Sequence, residues 1–276
     1  MLPEFLPGRC ARLLAVRHAP APGVALRGAV LCFAPLAEEM NKSRRMLTLA
    51  ARRLAADGWG VLIVDPHGTG DSGGDFVDAR WDIWQDDYAA CARWLQARHP
   101  GRLVLWGVRT GALLAAELAG SAALAVDTLL YWQPVTVGDL ALTQFLRLRL
   151  AAGLMDGSKE TAAGLRERLN AGESLEIAGY ELHPALAAAL ERSRLLPPPA
   201  GVPVLWLELV SEAGRAPGAV AQKLLAGWRS DGHELRCETV VGDSFWATQE
   251  IAVVPALVEA TAAMLAGAAL PAGAGA

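Results

Sequence analysis

The stretch Leu103-Val-Leu-Trp-Gly107-Val-Arg109-Thr-Gly111-Ala-Leu-Leu-Ala115 decides how this chain folds. An apolar run reads as a buried strand, a Gly-x-x-x-Gly turn follows, and an Ala/Leu-rich helix begins at once. A strand and a helix pack this closely at a corner only where Cβ atoms are missing, which is what Gly107 and Gly111 supply. The residue at the apex of such a corner is lifted above the sheet, where a Ser would be presented as a nucleophile. Here the apex is Arg109. A guanidinium stays protonated and has no lone pair to offer a carbonyl, so it cannot be the attacking group. The apex of this corner therefore carries no nucleophile.

Composition narrows the alternatives. The chain has 276 residues, 53 % of them hydrophobic, enough for one large α/β unit or for one unit with an insertion. The longest apolar stretch, Leu103 to Val126, is broken by Arg109 and Glu117, so no membrane span is expected. The first residues lack the basic-then-apolar order of a secretory signal. Cys10, Cys32, Cys91 and Cys237 are scattered, with no C-x-x-C pair, which fits neither a disulfide frame nor a zinc site. No metal or other cofactor is expected. A net charge of −4 argues against a nucleic-acid binder. The expected compartment is the cytoplasm.

Outward from the corner, strands and helices alternate. Strands are expected at Ala11 to His18, Ala25 to Ala34, Gly60 to Asp65, Leu103 to Trp106 and Thr128 to Trp132. Helices are expected at Arg44 to Ala56, N-capped by Ser43, at Asp82 to Arg98, and at Gly111 to Ala119. The continuous apolar character of Gly60 to Asp65 marks a strand buried on both faces of a parallel sheet. From Leu140 to Leu196 the pattern turns helical throughout and stops at Pro197-Pro198-Pro199. Val204 to Leu209 resumes the sheet, followed by a helix at Ala219 to Ser230, a strand at Glu234 to Val241 and a helix at Ile251 to Leu265. The organisation read from this is a core of residues 1–139 and 201–266, a helical cap insertion at 140–200, and a disordered Gly/Ala/Pro tail at 267–276.

The corner resembles the G-x-S-x-G nucleophile elbow of α/β-hydrolases, and Asp65-Pro-His67-Gly-Thr-Gly-Asp-Ser72-Gly resembles their D-x-x-G-x-G-x-S loop, in which the Ser is structural. In that fold an oxyanion is held by two backbone N–H groups. One would come from the stretch containing Leu36, Glu38 and Glu39, and the other from Thr110 at a helix N-terminus. The strand-then-acid spacing after Val204 makes Glu212 the candidate acid, with a solvated loop residue as the equal alternative. After the last strand, where a catalytic His would stand, the chain reads Gly242-Asp243-Ser244-Phe245-Trp246. His18, His67, His99, His183 and His233 all lie elsewhere and read as structural or exposed. Arg109 has two readings, left open by the sequence: it neutralises a buried carboxylate, with Glu212 or Glu38 the suspects, or it clamps an anionic ligand.

Several strings together resemble one family. They are Ala37-Glu-Glu-Met-Asn-Lys-Ser-Arg-Arg-Met46, Gly70-Asp-Ser-Gly-Gly-Asp-Phe76, Ala79-Arg-Trp81, the Gly107-x-Arg109-x-Gly111 elbow, Trp132-Gln-Pro-Val135, Gln144-Phe-Leu-Arg-Leu-Arg149 and Phe245-Trp246. They are similar to the exosortase A system-associated hydrolase 2 proteins, relatives of the serine aminopeptidase-type α/β-hydrolases, from about Val24 to Val254. The resemblance implies an α/β-hydrolase fold, with a mostly parallel sheet flanked by helices. It also implies a cytoplasmic bacterial protein of exopolysaccharide biosynthesis, nominally an acyl or ester hydrolase. Because the elbow Ser and the triad His are absent, two other expectations stand beside hydrolysis. One is a catalytically silent protein binding an anionic small molecule or glycan precursor through Arg109, Thr110, Leu36, Glu38 and Glu39. The other is a scaffold for an exopolysaccharide-biosynthesis protein.

Overall fold

A computed structural model of the chain describes residues 1–121, 123–155 and 159–267. Its centre is an eight-stranded sheet in the order β1-β2-β4-β3-β5-β6-β9-β10. These strands are β1 (Leu2–Pro7), β2 (Arg12–His18), β3 (Gly28–Phe33), β4 (Trp59–Val64), β5 (Arg102–Val108), β6 (Thr128–Trp132), β9 (Val204–Val210) and β10 (Leu235–Val241). The first two pair antiparallel with each other, and β2 pairs antiparallel with β4. All remaining neighbours are parallel. Alternate residues of the inner strands feed two separate cores. Leu31, Phe33 and Leu105 face α2 (Trp81–Arg98) and α3 (Gly111–Gly120), with α7 (Ala219–Ser230) farther along the same face. Val30, Cys32 and Trp106 face α1 (Glu38–Ala56) and α8 (Pro255–Gly267). This two-sided burial is the reason the strands read as continuous apolar runs.

Between β6 and β9 the chain leaves the sheet. It forms α4 (Gly138–Met155), α5 (Ala162–Asn170), the hairpin β7 (Leu175–Ile177) with β8 (Tyr180–Leu182), and α6 (Pro184–Arg192). The neck of this excursion is pinned where Leu195 N–H donates to Thr136 O at 3.0 Å and Gly138 N–H donates to Ser193 O at 2.9 Å. Arg166 ties α4, α5 and α6 together through Asp139, Thr143 and Glu191.

Four expectations need correction. A strand precedes Ala11: β1 was hidden by Pro3 and Pro7, which an outermost strand tolerates because half its backbone groups face away from the sheet. Ser43 is not an N-cap, for α1 begins five residues earlier at Glu38. Ser43 is buried inside the helix and donates to Glu39 O at 2.6 Å. The segment 140–196 is not wholly helical. The hairpin turns at Ala178 and Gly179 with φ of 51° and 84°, a left-handed pair that Ala-Gly does not advertise as Asn-Gly would. The last helix starts at Pro255 rather than Ile251, with proline at the first helical position, where its missing N–H costs nothing. Of the tail, Gly267 ends α8 and residues 268–276 lie outside the described residues. All four cysteines are unpaired, and no described helix is long and apolar enough to cross a membrane.

Candidate functional site

The carboxyl ends of β3, β5 and β6 converge on the elbow. Arg109 has φ of 54°, in the left-handed region rarely adopted by a side-chain-bearing residue. The conformation is held from both sides. Arg109 N–H donates to Trp132 O at 3.0 Å, and Val135 N–H donates to Arg109 O at 3.1 Å. The flanking glycines are required: a Cβ on Gly107 would sit 2.4 Å from Ala112 Cα, and one on Gly111 would sit 2.1 Å from Phe33 O.

The apex side chain is held by contacts within its own protein. Arg109 Nε and Nη2 donate to the two carboxylate oxygens of Glu39, each at 3.2 Å. Nη1 donates to Gln133 O at 3.3 Å. Gln133 is itself left-handed (φ 41°), and its side-chain oxygen accepts Leu209 N–H at 2.7 Å, which fixes its carbonyl toward the elbow. On the open side the Trp246 ring lies over the guanidinium, 4.8 Å from Cζ. Phe245 behind it is completely buried and packs edge-on against Trp132. The loop after β10 thus delivers an indole to the apex. An indole N–H only donates, so Trp246 cannot serve as a base.

A backbone donor of the loop after β3 is engaged as well. Leu36 N–H, at the end of the β3 loop, donates to the Thr110 hydroxyl at 2.8 Å. Of the stretch expected to supply a donor, the Leu36 N–H is thus spent on a side chain. Glu39 is the carboxylate that neutralises Arg109, in place of the suspects Glu38 and Glu212. Since α1 starts at Glu38, one further residue turns the side chain about 100° around the helix and aims it at the elbow. Burial pushes the Glu39 carboxyl above its ordinary range, and the adjacent Arg109 guanidinium offsets only part of that rise.

A cavity of about 400 Å³ opens above this floor. Leu36, Glu38, Glu39, Arg109 and Thr110, the residues singled out from the sequence, all line it. Lys42, Val135, Trp246 and the α4 residues Ala141, Gln144, Phe145 and Leu148, which sequence reasoning did not assign, complete most of the wall. Glu212 is exposed in the loop after β9 and is not part of the lining. The buried carboxylate of that strand is Glu208, which accepts Trp206 Nε1–H and Gly218 N–H, each at 2.9 Å, and so fastens the loop. None of the histidines lines the cavity. His18, His67 and His99 are buried elsewhere, and His183 caps α6 by accepting Ala185 N–H at 3.0 Å. Ser72 is structural, donating to Asp65 O and accepting Leu14 N–H at 2.8 Å. No group of described residues is arranged to hold a metal ion.

Sheet order, elbow and cavity are those of an α/β-hydrolase. Residues 26–167, just over half of the chain, match the serine aminopeptidase S33 family, and the chain belongs to it. No curated protein matches the chain. Among solved structures it is similar to an α/β serine hydrolase without a lid from Xanthomonas campestris, at 18 % identity and TM-score 0.58, with 96 % of this chain and 93 % of that one covered. Est1E from Butyrivibrio proteoclasticus, solved with ferulic acid bound, aligns at 14 % identity and TM-score 0.64, covering 95 % and 98 %. A thermostable carboxyl esterase from Bacillus coagulans aligns at 13 % identity and TM-score 0.61, covering 87 % and 90 %. Likeness at these identities is a likeness of fold.

Proposed function

We propose that this chain is a non-hydrolytic member of its family, which works by holding a ligand in the elbow cavity beneath the 138–192 excursion. The excursion acts as the cap, with α4 as the wall facing Arg109. In keeping with its sequence resemblance to the exosortase A-associated proteins, its setting is cytoplasmic exopolysaccharide biosynthesis. The observation that carries this reading is the occupancy of the elbow. Acyl transfer needs a nucleophile, a base within reach, and N–H donors left free for the oxyanion. At these positions stand a guanidinium bound to Glu39, an indole, and an N–H already donating to Thr110.

The test is chemical. A fluorophosphonate probe, which reacts with activated serines, is expected to leave the protein unlabelled, Ser72 and Ser244 included. Stoichiometric labelling of any serine would overturn the proposal. Arg109→Ser is expected to yield no esterase, because the new hydroxyl gains neither base nor oxyanion donor pair, and a serine without a base is a weak nucleophile. Efficient turnover of p-nitrophenyl butyrate by that variant would show that a base reaches the site after all.

A further inference from the structure

Arg109 and Glu39 are unequal partners. The guanidinium is anchored by the pinned left-handed backbone, by Gln133 O and by the Trp246 ring. It therefore keeps its place if Glu39 moves. Glu39 has no hydrogen-bond donor to its carboxylate other than Arg109 among the described residues, and it lines the cavity beside Glu38. Three of the five guanidinium N–H groups are engaged, two of them by a carboxylate in side-on geometry. The cavity thus already contains a carboxylate site with an internal occupant.

We propose that the cavity binds an amphipathic monocarboxylate, whose carboxylate replaces Glu39 on Arg109 while its apolar chain lies along Leu36, Val135, Phe145 and Leu148. This rests on reading the cavity as a binding site. The flat Nε/Nη2 edge fits two coplanar oxygens, as Glu39 itself demonstrates. A doubly charged head group would lack countercharge, because the other cation of the lining, Lys42, is paired with Glu38 at 3.8 Å. The walls named are apolar, with Val135 and Phe145 buried.

Displacement leaves Glu39 without its cation, so it takes up one proton from solvent as the ligand binds. The charged groups facing Glu39 are Arg109 from the elbow and Glu38 and Lys42 from α1. From α4 come Gln144, Phe145 and Leu148, and from the loop after β10 Trp246 and Ala247, none of which titrates. Burial already favours the protonated form of Glu39. Affinity should therefore rise as pH falls through the range in which Glu39 titrates, by at most about tenfold per pH unit for a single proton.

Calorimetry of the full chain with sodium octanoate and with octanamide, at pH 6 and pH 8, tests this. Octanoate is expected to bind more tightly at pH 6 than at pH 8, with proton uptake seen as a dependence on buffer ionisation heat, and octanamide to bind weakly at both. Glu39→Gln is expected to bind octanoate at pH 8 at least as tightly as the unaltered protein does at pH 6, and to lose the pH dependence. Thermal melting confirms that this variant is folded. Equal binding of octanamide, weaker octanoate binding by Glu39→Gln, tighter binding at high pH, or no octanoate binding would each overturn the proposal. Ester turnover with octanoate binding intact would instead sink the non-hydrolytic reading and leave this one standing.

Discussion

Gly111→Ala is expected to destabilise the protein by more than about 3 kcal/mol. The added methyl would meet Phe33 O at 2.1 Å and the Phe33 carbonyl carbon at 2.6 Å. These are backbone atoms of the central strand β3, so no side-chain rotation relieves the clash. A melting temperature lowered by roughly 6–10 °C is the expected reading for a chain of this size. Gly227→Ala in α7 is the control: its Cβ would meet nothing within 4 Å, and the same change there should stabilise by about 0.5–1 kcal/mol. Similar small effects at both sites would mean that helix and strand can separate at the elbow.

Arg109→Ala should cost roughly 2–3 kcal/mol at pH 8, between the small value of an exposed ion pair and the 3–5 kcal/mol of a fully buried one. The side chains concerned are 14 % and 25 % exposed, which places the pair between those limits. The loss should depend on pH in a defined direction. Removing Arg109 takes away the group that holds the Glu39 carboxyl down, so its folded-state value climbs further above the unfolded one of about 4.3. A carboxyl raised in this way is protonated in the folded chain and ionised in the unfolded one across the window between the two values. Stability then falls as pH rises through that window and levels off above it. Chemical denaturation should show a small deficit near pH 5 that widens toward pH 8. Adding Glu39→Gln should recover most of it. A deficit that is constant with pH, or largest in acid, would mean that Glu39 does not depend on Arg109.

The elbow was legible because its constraints are local. Gly107 and Gly111 are dictated by contacts within one strand, its turn and the following helix, together with the adjacent end of β3. Leu36, Glu39 and Thr110 could be placed at one site because they follow two neighbouring parallel strands whose carboxyl ends must lie together. What escaped was set by tertiary packing. Gln133 and Trp246 reach Arg109 from the ends of β6 and β10, and nothing in their flanking residues announces it. Glu212 was suggested by spacing along the chain, whereas Glu208 claims the buried carboxylate position inside β9. Choosing Glu39 over Glu38 depended on where α1 begins, and a start placed six residues late left both outside the helix, with no face assigned to either.

The way Arg109 is held also bears on how such a protein can change over generations. Its contacts come from three separate segments: Glu39 on α1, residues 132–135 at the end of β6, and Trp246 after β10. A path from this sequence to a serine hydrolase would need Arg109, Trp246 and Thr110 replaced together. Each single step would surrender stability and return no catalysis. Selection acting one substitution at a time therefore meets a ratchet at this corner: the apex is free to drift only once its neighbours have drifted first. Descendants of this chain should diversify between β6 and β9, where α4 and the hairpin can vary, while Arg109, Glu39 and Trp246 are inherited as a unit.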